Sequence, residues 1–204
     1  MWALYDRYYQ GGSRARFEAD FRAKDKVFLI WDDQRLVGFN SLKIVPVDGL
    51  RIMYSGDMLI DTAARGIQSA CFFSAWASAL WGQCDWWCSL ASGPRTYRIP
   101  FVMFNRVTPN PAEDETPDET ALRHRCAACE YGTAYEPAAG VVRLPDPYVL
   151  RPDHAGVRDT YPLETFFRRR NPGWAQGDEL VSLVSLQPGN WSRRARRLLK
   201  DLPA

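Results

Sequence analysis

Long apolar runs are missing from this 204-residue chain. With them goes any helix able to cross a bilayer, which needs about 20 consecutive apolar residues. The most apolar stretch, after Gly66, is interrupted by Gln68, Ser74 and Ser78. No N-terminal segment combines the charged start, apolar middle and small-residue end of a secretory signal. Cysteine is scarce and odd in number, with five in all, which argues against a disulfide framework and for free thiols in a reducing cytoplasm. We therefore expect a soluble, cytoplasmic protein without a membrane span. A dominant charge is also lacking. The net charge of +2 provides no broad basic field, so nucleic acid is not an expected partner. Histidine is limited to His124, which between Arg123 and Arg125 reads as exposed on a helix, and His154 in the loop RPDHAG. No G-x-S-x-G elbow occurs, which removes the support for serine-hydrolase chemistry.

The cysteines permit one metal test. Cys126-Ala-Ala-Cys129 has zinc-knuckle spacing, and Cys84 with Cys88 could complete a set of four. However, Cys84 and Cys88 fall in a strand-like run, and the Cys126 pair lacks the glycine and aromatic turn residues common in knuckles. Buried or reduced thiols are the expectation, and no metal. No thioredoxin-like unit surrounds the CxxC to give it a redox role.

What the chain does contain is enough apolar material, 46% of residues, for the core of one ordinary domain. Its charges are unevenly placed. PAEDETPDET, from Pro111 to Thr120, is acidic, whereas Phe166 to Lys200 includes FFRRR and WSRRARRLLK. Both read either as solvated surface or as binding segments. Eight tryptophans, including Trp76, Trp81, Trp86 and Trp87, serve either core packing or an apolar groove.

The N-terminus reads as two short helices split by Gly11-Gly12, with Ser13 as N-cap and Phe17 and Phe21 on one face. KVFLIWD and RLVGFNSLKIV flank Asp32-Asp33-Gln34 as a hairpin, and a turn at Pro46, Asp48 and Gly49 leads into LRIMYSGDMLID. These three strands form an antiparallel meander. The stretch Arg51–Trp81 is the most informative, because its strand enters an Arg-Gly turn that opens directly into an apolar helix. The unpaired N–H groups at such a helix start are a seat for phosphate. A further strand, DWWCSLA, implies a parallel pairing across the helix.

In this order of elements, the first hundred residues resemble the acyl-CoA N-acyltransferase superfamily, the GCN5-related acetyltransferase fold. That family carries a Q/R-x-x-G-x-G/A turn for the cofactor pyrophosphate, with the preceding strand along the pantetheine arm. Here the turn reads Ala63-Ala64-Arg65-Gly66-Ile67-Gln68, in which Arg65 and Gly66 match while Ala63 and Gln68 depart. The resemblance implies an α/β (α+β) domain with a mixed sheet. Residues 1–105 would form the core, 106–170 an insertion or lid, and 171–204 a last strand and a basic tail. Arg170 to Leu186 resembles the end of bacterial proteins that share the N-terminal half.

The resemblance implies donor binding at Arg65, Gly66, Ile67 and Gln68, with acyl-CoA or a carrier-protein phosphopantetheine as acyl donor and a small-molecule amine as acceptor. It also places Asp57 as base in the strand before the turn and Tyr97 as acid after the following strand. From the residues alone, Asp57 is also a polar residue beside Gly56, at a bulge. Ser92 lies at the carboxyl end of a strand, where open α/β sheets hold ligands, and reads either as a donor to a bound carbonyl or as a helix cap. The basic tail offers a charged surface to an acyl carrier protein. Because half the turn's signature is absent, a domain that keeps the fold without using the donor, as a partner subunit or a repurposed enzyme, is the competing expectation.

Overall fold

Alternating apolar side chains and tight turns bring the first three long strands together. In the computed structural model, which describes residues 1–64, 76, 82–151 and 162–200, β2 (Lys26–Asp32), β3 (Arg35–Val47) and β4 (Leu50–Ile60) form the expected meander. Its second turn uses Asp48 at φ 50° and Gly49 at φ 79°. Two successive positive φ values match the twist that a two-residue hairpin needs. Ahead of the meander come α1 (Trp2–Tyr8), the two-residue β1 (Tyr9–Gln10) and α2 (Arg14–Arg22). The Ser13 hydroxyl caps α2 by accepting from the Arg16 N–H at 3.3 Å.

The turn at Arg65, Gly66, Ile67 and Gln68, and the crossover helix expected after it, lie outside the described residues. Only Trp76 of that helix is described, buried in the core. The chain returns as β5 (Trp86–Ala91), which is parallel to β4. It then enters α3 (Pro94–Met103).

Within residues 106–170, of which 152–161 lie outside the described residues, several elements pack on the main sheet or join it. Here α4 (Pro117–Tyr131) starts in a capping box, in which the Thr116 hydroxyl accepts from the Glu119 N–H and the Glu119 carboxylate accepts from the Thr116 N–H. Its Leu122, Cys126 and Ala127 are buried against Cys88, Val181 and Leu183. The short β6 (Tyr135–Glu136) and β7 (Val141–Val142) join the main sheet, while β8 (Val149–Leu150) pairs with β1. After α5 (Leu163–Arg170) comes β9 (Glu179–Ser185), antiparallel to β5 as the expected last strand, and then the basic helix α6 (Arg193–Lys200). The seven-stranded order is β2-β3-β4-β5-β9-β7-β6. One core cluster joins Met53, Trp87 and Val184 to Trp76, Met103 and Trp191, and another lies under α1 and α2 around Tyr5, Phe17 and Phe39. No helix among the described residues is long and apolar enough to cross a membrane.

Candidate functional site

Two features of β4 open a cavity in the middle of the sheet. The β3–β4 register runs Leu42↔Ser55 and then Asn40↔Met58, so Gly56 and Asp57 together face the single residue Ser41. This is a β-bulge, which bends its strand and re-aims the local side chains. Glycine leaves room there, because a Cβ on Gly56 would meet the Ser41 Oγ at 2.5 Å and the Lys24 Cε at 3.1 Å and would require the Ser41 and Lys24 side chains to shift. The Asn40 amide secures the bulge by donating to the Asp57 carbonyl at 3.2 Å. The second feature is the parallel ladder, which runs from Ile52↔Trp86 to Ser55↔Ser89 and stops there, although β4 continues to Ile60 and β5 to Ala91. Beyond Ser55 and Ser89 the two strands part.

A cavity of about 300 Å³ occupies that gap. Asp57 and Ser92 line it, together with Glu179 from the start of β9 and Tyr5 and Tyr9 from the N-terminus. Tyr131 at the end of α4 and Tyr148 before β8 supply further wall on one side. The rings of Tyr5 and Tyr9 stack with centroids 4.6 Å apart, and Tyr148 meets Tyr5 edge-on at 5.0 Å.

Protein surrounds both carboxyl groups, yet each keeps a face on the cavity. Loss of hydration pushes Asp57 above the usual carboxylate range, while the Tyr5 hydroxyl and the Lys24 ammonium hold it partly down. Burial, reinforced by the nearby Asp57 charge, raises Glu179 to about 7. Burial also keeps Tyr9 neutral by pushing its phenol upward, against the opposing effect of a hydrogen bond with Ser92. The site thus holds a carboxylate that gains and loses its proton near neutrality, a second acidic group beside it, and two neutral hydroxyls.

Of the other expected residues, Tyr97 and His124 are placed differently, whereas Ser92 lies at the cavity. Tyr97, expected as the acid, is buried in the core and donates its hydroxyl to the Pro109 carbonyl at 2.7 Å, so it forms no part of the cavity wall. Ser92 does not cap α3; Gly93 occupies the cap position and Ser92 is left to the cavity. His124, expected to be exposed, is half-buried, with its Nδ1 2.7 Å from the Tyr135 hydroxyl. Cys84, Cys88 and Cys126 are buried free thiols and Cys129 is exposed; Cys84 precedes β5 and does not lie within it. Among the described residues no three His, Cys, Asp or Glu side chains gather as metal ligands.

Glu179, Tyr5, Tyr9, Tyr131, Tyr148 and Lys24 are cavity residues that sequence reasoning missed. The signal available for Glu179 was a single acidic residue opening the otherwise apolar and small-residue strand ELVSLVS. Comparison of the sequence with models of known protein families and with curated proteins finds no match.

Proposed function

We propose that this chain is an N-acyltransferase of the GCN5-related type, moving an acyl group from acyl-CoA or an acylated carrier-protein phosphopantetheine to the amine of a small molecule held in the cavity. The observation that carries this reading is the parting of β4 and β5 beside Asp57 and Glu179. Where a parallel ladder stops inside a sheet, backbone N–H and C=O groups lose their strand partner and can pair with a ligand. A pantetheine arm is a chain of amides, and such a chain adds to a strand edge as an extended peptide does. Glu179, poised near pH 7, suits removal of the proton from an attacking amine. As the nitrogen bonds to the thioester carbon, the developing oxyanion takes a hydrogen bond from a neutral donor such as Ser92 or Tyr9. The carbon–sulfur bond then breaks, and the thiolate leaves to be protonated by water.

On α6, Arg193, Arg194, Arg196 and Arg197 are exposed while Ala195 is buried in the core. This leaves a basic surface suited to an acidic carrier protein.

Calorimetric titration with acetyl-CoA and with a longer acyl-CoA tests the donor. Binding is expected, and Arg65→Ala should weaken it about ten-fold through loss of one charge-assisted contact to phosphate. If neither acyl-CoA binds, and an acylated carrier protein does not bind either, the acyltransferase reading is overturned.

A further inference from the structure

The strand β2 ends the sheet, and no described strand covers its outer edge. Proteins usually blunt such an edge with a proline, a central lysine or a bulge in the edge strand itself. None of these interrupts Val27–Trp31, which is apolar throughout. The irregularity between β2 and β3 places its extra residue, Val37, in β3, which leaves β2 regular. Along one face of β2 the side chains of Val27, Leu29 and Trp31 are 39%, 46% and 55% exposed. A contiguous apolar row of this kind on a strand edge is characteristic of an association surface.

The sequence of the strand identifies the occupant. Lys-Val-Phe-Leu-Ile-Trp-Asp carries opposite charges at its two ends and an apolar residue at its centre. We propose that two copies of this chain pair β2 against β2, antiparallel about a two-fold axis at Leu29, joining the two seven-stranded sheets into one. In that register Lys26 of each copy lies opposite Asp32 of the other, Val27 opposite Trp31, Phe28 opposite Ile30, and Leu29 opposite itself. Every position meets a complementary one, and the two exposed rows merge into a single apolar stripe. The present partners of the end charges are weak surface contacts. Lys26 Nζ donates to Gln83 Oε1 at 3.0 Å, and Asp32 lies 3.7 Å from the Arg35 guanidinium. Redirecting them breaks nothing buried.

Sedimentation equilibrium of the full chain over a micromolar range tests the arrangement. The expected result is a dimer that Leu29→Lys converts to monomer, because two ammonium groups would then meet at the axis. Lys26→Glu should weaken the dimer about ten-fold by placing like charges opposite each other twice, and combining it with Asp32→Lys should restore it. These positions are exposed, so circular dichroism and the melting temperature of each variant check that the fold is retained. A monomer at all concentrations would overturn the proposal and leave the row to a strand from another protein. So would a dimer indifferent to Leu29→Lys, or one that the paired charge exchange fails to restore.

Discussion

Glu179→Gln is expected to abolish most acyl transfer while making the protein more stable at alkaline pH. In the proposed reaction Glu179 accepts the amine proton, and losing a positioned general base costs about 10²–10⁴ in rate. The gain in stability follows from the same raised proton affinity. In the unfolded chain this carboxyl titrates near its ordinary 4.5, whereas in the fold it does so at about 7. Below pH 4.5 both states hold the proton and the group contributes nothing. Between 4.5 and 7 the folded state binds more protons than the unfolded one, so stability falls as pH rises, and above 7 the full penalty is present. After discounting for the face of the carboxyl that water reaches, that penalty is on the order of 2 kcal/mol. Denaturant melts at pH 5 and pH 8 should therefore show the Gln variant gaining on the parent only at the higher pH.

For the parent, kcat/KM should rise with pH to a plateau above about 7. Asp57→Asn should move that limb to lower pH, because the Asp57 charge is one of the two influences raising Glu179. An unchanged rate in the Gln variant, or a limb that Asp57→Asn leaves in place, would remove Glu179 from the reaction.

Trp191→Ala is expected to cost about 3–5 kcal/mol, the usual penalty for emptying a large aromatic site in a packed interior. Trp191 is fully buried, stacks at a tilt on Phe104 with centroids 4.8 Å apart, and donates its indole N–H to the Leu186 carbonyl at 2.9 Å. Truncation leaves both a void and an unanswered carbonyl. Against a total stability of about 5–15 kcal/mol this is a large share, and the melting temperature should drop by about 10 °C or more. A drop under about 2 °C would mean that the α3–α6 side of the core closes over the space.

The fold was legible where chemistry is local. Asp48-Gly49 announces a hairpin because few other pairs tolerate two positive φ values, and Ser13 announces a helix because its hydroxyl answers a free N–H. Gly56-Asp57 suggested a bulge for a similar reason, since a glycine inside a strand has no side chain to pack. The site was harder to read because it is assembled from distant parts. Glu179 is separated from Asp57 by most of the chain, and nothing in ELVSLVS says which strand will lie beside it. Tyr97 shows the converse. Its position after a strand suits an acid, yet packing against Phe101 and Phe167 and a bond to Pro109 hold it in the core. Tyr5 and Tyr9 read as ordinary helix and turn residues, because only the tertiary arrangement turns them toward a cavity.

The strand order has a consequence for biosynthesis. β9 is translated after every other strand of the sheet, yet it lies between β5 and β7. The meander can form as it emerges from the ribosome, since each of its strands pairs with a close sequence neighbour. By contrast β6 and β7, although made earlier, have no place in the main sheet until β9 arrives to bridge them to β5. Until then the nascent chain displays β5 as an open edge, which makes that interval the one in which a chaperone would find it and in which premature pairing with another chain would compete with folding.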